Sequence, residues 1–321
     1  MQKAHRRFQY LIQEIHKIQR MKFVTDEVYS FRHQPKFHDF SNTVHLDEKW
    51  FFGEKVDGYY YWPTDEALPP PDRIANKQSI QKIMFLVVLA MPVLNKGFDG
   101  LIGIYPFVKE SVFVRGPRRG EQKLVHEVSV NGEVYKQYLL EKVIPDVKRK
   151  MPWMRGKEMY IQHDGAKAHL PAEHDAAIDQ ALTANRWKIN LVRQPARSPF
   201  LNMCDLSFNY SLQCKAEEIR FRSANLVELR DLVVGEFWRY DPEVLLRQWW
   251  GTLAHVYRVV MKYRGENFPN SELHGGVRRH GISYNLDYVD VANYNNCIEL
   301  IDNYYDDNDN VVVEEEDNGD E

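Results

Sequence analysis

The sequence predicts a mixed α/β domain with a helical C-terminal portion and an acidic tail. Three observations carry this. Apolar runs of strand length come first, and further along strands alternate with segments of helical periodicity. Three helical stretches, at 205–219, 225–239 and 242–263, then follow with no strand between them. Finally, Leu286 to Glu321 holds thirteen acidic residues and no Lys or Arg.

The elements read in order. Residues 1–41 are basic and open with FQYLIQEIHKIQRM, whose apolar residues fall at helical spacing. Strands are expected at Asn42–Asp47, Trp50–Phe52 and Tyr59–Trp62, and Pro69-Pro70-Pro71 marks a turn. Lys82–Met91 is the strongest strand. Its run IMFLVVLAMPV is interrupted by Pro92 and falls well short of the roughly 20 residues of a membrane helix. Asp99–Tyr105 follows, with glycines that allow a bulge. Arg115-Gly116-Pro117-Arg118-Arg119-Gly120 is a basic loop before a strand at Lys123–Val130. Gly132–Lys150 is a helix closed by Met151-Pro152. Glu158–Asp164 is a strand, Pro171–Ala184 a helix with Pro in its first turn, and Trp187–Val192 another strand. Residues 286–321 read as a disordered acidic tail by composition.

At 321 residues, with 44% hydrophobic residues and a mean hydropathy of -0.54, the chain has room for a sizeable core. MQKAHRRFQY lacks the apolar stretch of a signal peptide. Cys204, Cys214 and Cys297 have no metal-ligand spacing and read as free thiols in a reducing compartment. The formal net charge of -4 conceals an asymmetry: without the thirteen tail acids, 42 basic residues stand against 33 acidic ones, so residues 1–285 carry +9. A basic body suits a polyanionic partner, and a solvated lysine-rich surface explains the charge equally well.

Two aspartates stand out. Asp47, in NTVHLDEKWF, and Asp164, in MYIQHDGAKAHL, each end an apolar strand. An ionised carboxylate there is costly unless paired or metal-bound. Two strands delivering aspartates to one sheet edge suit Mg²⁺ or Mn²⁺, which take few protein carboxylates. Two such ions about 4 Å apart serve phosphoryl transfer. Taken singly, each aspartate reads more simply as the cap of a helix or turn.

DEKWF, QHDGAKAH and QPARSP-x-LN-x-x-DL, together with IQKIMFLVVLAMPV, FDGLIGIYPFV, the RGPRRG loop and LHGGVRRHG, resemble in order the mariner-like transposases, and their plant-type branch most closely. The resemblance spans about residues 35–285. It implies a ribonuclease-H-like mixed sheet flanked by helices, Mg²⁺- or Mn²⁺-dependent cleavage of DNA at element ends, and transfer of the freed 3′-hydroxyl into target DNA. It also implies a nuclear location and action as a homodimer. Of the three metal-binding acids of such enzymes, the first matches Asp47 and the second Asp164. The third matches Phe200, an apolar ring where water and phosphate should sit.

Asp205 is the nearest replacement. The family carries an Asp at the matching position too, so a helix N-cap is the simpler reading. Five residues of helix from Phe200 would displace its carboxylate by about 7.5 Å. Glu48 is adjacent to Asp47 but faces the other side of an extended strand. The resemblance places His169 near the site, and Arg115, Arg118 and Arg119 on an insertion that reaches DNA or a partner. Trp50 and Phe51 read as core.

These readings set the expected organisation. Residues 1–41 are a basic helical linker of the kind that follows a helix-turn-helix DNA-binding region, 42–285 the catalytic domain, and 286–321 the tail. Expected activity is weak or absent strand cleavage for want of the third acid. A non-catalytic nucleic-acid-binding or protein-interaction module on the same fold is the alternative.

Overall fold

A computed structural model describes residues 11–31, 34–52, 82–117, 119–126, 130–167, 169, 172, 175–219, 226–273 and 288–308. The expected strand at Tyr59–Trp62, the turn at Pro69–Pro71, Arg118, most of LHGGVRRHG and residues 309–321 lie outside them.

The elements in chain order are α1 (Glu14–Thr25), β1 (Val28–Phe31), β2 (Gln34–Phe37), β3 (Thr43–Phe52), β4 (Lys82–Ala90), β5 (Leu101–Pro106), β6 (Val108–Val112) and β7 (Gln122–His126). Next come α2 (Gly132–Tyr138), α3 (Ile144–Lys150), β8 (Glu158–His163), α4 (Ala176–Thr183) and β9 (Lys188–Arg193). The helical portion is α5 (Asn209–Ile219), α6 (Leu226–Trp238), α7 (Pro242–Gln248), α8 (Ala254–Lys262), α9 (Asn270–Leu273) and α10 (Val291–Asn308). Single π turns join α2 to α3 (Leu139–Val143), precede α5 (Cys204–Phe208) and join α7 to α8 (Trp249–Leu253).

By their contacts the residues fall into two units. The larger, Ser41–Gln194 with Asn202–Trp249, is built on a five-stranded sheet of order β5-β4-β3-β8-β9. Strands β3, β4 and β5 pair antiparallel, while β8 joins β3, and β9 joins β8, in parallel. This is the mixed ribonuclease-H-like sheet. The two stretches expected as separate strands, 42–47 and 50–52, form the single ten-residue β3, because all of Val44–Phe52 finds a partner along β4.

Strand alternation sorts β3 into two faces. Val44 and Leu46 join Leu86, Val88 and Ala90 of β4 in a core closed by Tyr138, Leu139, Val143 and Val147 and by Ile178 and Leu182 of α4. His45 and Asp47 point to the other face. There His45 packs edge-on against Trp249 at 5.1 Å, and Cys204 Sγ approaches Val87 O at 3.8 Å. Both faces are therefore covered, as the unbroken apolar text of β4 requires.

Local chemistry fixes the helix starts. The Asn131 side chain accepts from Glu133 N and Val134 N, capping α2. Asp175 does the same for α4 through Ala177 N and Ile178 N, so the regular helix begins at Ala176 rather than at Pro171. Gly100, with φ +87°, accepts from Ala90 N, and a Cβ there would lie 2.6 Å from Ala90 O, so the β4–β5 approach requires glycine.

The smaller unit comprises Met1–Phe40, Pro195–Leu201 and Trp250–Glu321. In it α1 buries Ile18, Met21 and Val24, and α8 buries Val256, Tyr257, Val259 and Val260. The span expected as a disordered tail contains α10, with Cys297 and Ile301 buried and Glu299, Asp302 and Asp306 exposed. The density of acids had hidden apolar residues set at helical spacing.

Arg20 on α1 is 1% exposed. It donates to Ser198 Oγ at 2.8 Å, Arg197 O at 2.6 Å and Gly265 O at 3.0 Å, and burial lowers its pKa to about 10. Its guanidinium lies 5.0 Å from the centre of the Phe200 ring, which also meets Phe268 edge-to-face at 5.0 Å. Phe200 thus belongs to an aromatic floor beneath a buried cation. Phe200→Ala is expected to destabilise this unit by about 2 kcal/mol, from lost packing and cation–π contact. Urea unfolding of the two proteins measures it, and a change below about 0.5 kcal/mol would deny Phe200 that role.

Candidate metal centre

The centre lies where β3 and β8 run side by side. Their last paired residues are His45 and Gln162, so Asp47 and Asp164, each two residues further on, stand level. Asp47 is 8% exposed, and Asp164 begins the loop after β8. One Asp164 oxygen accepts from Ala166 N at 3.0 Å, which fixes the turn.

The Asp205 carboxyl lies beside that of Asp47, close enough to raise its pKa. This differs from the expected helix N-cap: Met203 holds the cap position, and Asp205 sits inside the first turn. The cause is how the segment docks on β3. Asn202 Nδ2 donates to Leu46 O at 2.8 Å, and Met203 N donates to His45 Nδ1 at 3.1 Å. Those bonds set the π turn directly over β3 and bring Asp205 down to Asp47. The segment from Phe200 to Asp205 is not one continuous helix, because residues 199–201 form a separate 3₁₀ turn. Burial holds the His45 imidazole neutral, with its pKa lowered to about 3, so Nδ1 keeps a lone pair for Met203.

The electrostatics of the Asp47–Asp205 pair follow from crowding. Burial, and then the Asp205 carboxyl beside it, push Asp47 well above the ordinary carboxylate range, with Glu48 and Asp164 adding to the shift. Desolvation also raises Asp205, against the Asp47 hydrogen bond and Lys49, which lower it. Each of the two carboxyls is harder to ionise than a free aspartate. Asn209 Nδ2 donates to Asp47 Oδ2 at 2.8 Å from the same side.

On the opposite face of β3, Glu48 meets His169. His169 Nε2 lies 2.9 Å from Glu48 Oε1, and Nδ1 lies 2.5 Å from Asp164 Oδ1. The ring is 3% exposed and stacks on Tyr135 at 4.0 Å. Burial alone would lower its pKa, but the two carboxylates outweigh burial and raise it to about 10. His169 is therefore an imidazolium bridging Asp164 and Glu48. It in turn holds the Asp164 carboxyl below its usual range, although burial acts the other way.

Of the residues expected at the site, Asp205 neighbours Asp47, and His169 pairs with Asp164, whose charge adds to the Asp47 shift. Phe200 lies in the smaller unit, against Arg20 and Phe268. Arg115 and Arg119 are exposed in the turn of the β6–β7 hairpin, where Gly116 and Gly120 adopt positive φ. Glu48 and Asn209 complete the cluster. Glu48 had been set aside for its strand face, yet that face carries His169. Asn209 gave one sequence signal, its position four residues after Asp205 on a helix.

The donor set fits a hard divalent cation. Asp47, Asp164, Asp205 and Glu48 offer oxygens, and Asn209 Oδ1 is buried with no hydrogen-bond partner among the described residues. Ligand atoms of Glu48, Asp164 and His169 lie within 4.8 Å of one another, but as an imidazolium His169 offers that trio no lone pair.

His169 predicts a pH dependence. Its folded-state pKa of about 10 exceeds the ordinary 6.5. The stability it contributes is therefore complete below pH 6.5 and lost as pH rises through about 10. His169→Gln should narrow its stability gap to wild type across that window in metal-free urea unfolding. A gap independent of pH would contradict the bridged imidazolium.

No protein-family model matches the chain, and no curated protein matches it. Solved structures do. The Mos1 mariner paired-end complex with Mn aligns over 84% of this chain and 68% of the other, with a TM-score of 0.54 and 19% identity. The Mos1 transposase paired-end complex with the left transposon end gives the same figures. The Mos1 paired-end complex with Mg covers the same shares, at a TM-score of 0.52 and 21% identity. At such identity the common property is the fold: this chain and Mos1 mariner transposase share a ribonuclease-H-like sheet covered by helices.

Proposed function

We propose that the chain is the DNA-cleaving and strand-transfer domain of a mariner-like transposase, of the plant-type branch by its motifs. The observation that carries this reading is the meeting of Asp205 with Asp47, level with Asp164, on a sheet shared with Mos1 transposase. Asp205 takes the place of the acid that Phe200 replaces. Asp47, Asp164 and Asp205 would hold Mg²⁺ or Mn²⁺, the ions named for the Mos1 complexes. When bound, the metal activates water and stabilises the leaving oxygen of a phosphodiester.

The chain's own groups do the rest. His169, braced by Glu48, fixes the Asp164 carboxylate and balances local negative charge, which would otherwise repel a phosphate. Asn209 fixes Asp47. The exposed Arg115 and Arg119, and Arg118 between them, are offered to the nucleic-acid backbone, and +9 over residues 1–285 favours its approach. Residues 1–41 serve as linker and 42–285 as catalytic domain. The protein acts in the nucleus as a homodimer.

A second reading, a DNA-holding module that does not cleave, is favoured by Phe200 at the third acid position and by the same basic excess. It predicts metal-independent binding that weakens steeply with salt. Among the described residues no helix is long and apolar enough to cross a membrane.

Nicking of a labelled duplex with Mn²⁺ separates the two. Wild type is expected to nick, and Asp47→Asn and Asp205→Ala to lose about 100-fold or more. Nicking by Phe200→Asp alone would show that Asp205 does not serve. Salt-sensitive binding with no nicking by any variant would favour the holding module.

A further inference from the structure

Asp205 and Asn209 are four residues apart, one in the π turn and one at the start of α5. Residues so spaced project from one helix face, here the face over β3. The extra residue of a π turn re-aims the side chains around it, and such turns recur at functional sites. Asn209 is 2% exposed, and its amide is directed at Asp47, to which Nδ2 donates at 2.8 Å. Its Oδ1 is equally buried and accepts no hydrogen bond among the described residues. A residue that only steadied Asp47 would need its N–H alone. A dehydrated carbonyl oxygen is costly to leave without a partner, and here it belongs to an amide that reaches the Asp47 carboxyl.

We propose that Asn209 is a metal ligand: its Oδ1, with Asp47 and Asp205, forms an all-oxygen site for one Mg²⁺ or Mn²⁺ ion. The inference rests on the reading of Asp47 and Asp205 as cation-binding residues, and adds a neutral ligand to them. The charge arithmetic favours such a ligand. Two carboxylates neutralise one divalent ion, and an amide oxygen fills a further position without adding negative charge against an incoming phosphate. On the other face of β3, the imidazolium of His169 already compensates one of the charges of Asp164 and Glu48. Hard cations accept Asn carbonyl oxygens alongside carboxylates.

The test is Mn²⁺ binding to the full chain, by calorimetry and by electron paramagnetic resonance, for wild type, Asp47→Asn, Asn209→Leu and Asn209→Asp. Circular dichroism melts without metal check folding. Asn209→Leu, similar in size and without polar atoms, is expected to weaken Mn²⁺ about 10- to 100-fold. Asn209→Asp keeps an oxygen in place and adds charge, so it is expected to bind Mn²⁺ at least as tightly as wild type, with an altered resonance spectrum. If Asn209→Leu does not fold, Asn209→Asp carries the test through its affinity and spectrum. Wild-type affinity and an unchanged spectrum in the folded Asn209 variants, with binding lost in Asp47→Asn, would overturn the Asn209 assignment and leave the metal reading intact. Wild type that binds no Mn²⁺, or Asp47→Asn that binds as well as wild type, would overturn both.

Discussion

The docking of the Asn202–Asn209 segment onto β3 is the constraint on which the centre depends. Two hydrogen bonds carry it, from Asn202 to the Leu46 carbonyl and from the Met203 N–H to His45. The second requires a neutral imidazole, and complete burial against Trp249 supplies that condition. Were His45 protonated, Nδ1 would be a donor facing the Met203 N–H, and the segment would lose an anchor. Asp205 reaches Asp47, and Asn209 reaches Asp47, because the backbone between them is pinned at this point.

A crowd of carboxyls at a strand edge is costly, and the protein divides the cost between the two faces of β3. On one face, Asn209 donates to Asp47, beside the Asp205 carboxyl. On the other, an imidazolium bridges Glu48 and Asp164. Asp164, at the tip of the neighbouring parallel strand, influences both groups. Such an arrangement serves stability poorly when no cation is present. Its persistence at a sheet edge is what gives it functional meaning.

Phe200 stands where the motif places an acid, and in the fold its ring has structural partners. From the motif it reads as a missing ligand, because an acid is expected after Ser-Pro. In the fold it packs beneath Arg20 and against Phe268. The local chain has a structural use for an aromatic ring. The comparable case in the tail is α10. Thirteen acids suggested disorder, while Cys297 and Ile301, four residues apart, found a buried face.

The sequence by itself determined the sheet and its two principal aspartates. Strand periodicity, the unbroken apolar text of β4 and the carboxylates closing two apolar runs are local properties, and local steric and solvation rules read them. It also determined that α2 and α4 would start where Asn131 and Asp175 cap them, although the cap at Asp175 was passed over for the nearby proline. Tertiary structure alone decided which acids meet. Asp205 lies far from Asp47 along the chain, and its reach depends on two hydrogen bonds to β3 and on a π turn that no periodicity announces. Glu48 could be assigned to a face by alternation, but only the fold showed that His169 waits on that face. Helical and strand propensities act over a few residues, whereas the meeting of charged groups is set by how whole elements dock.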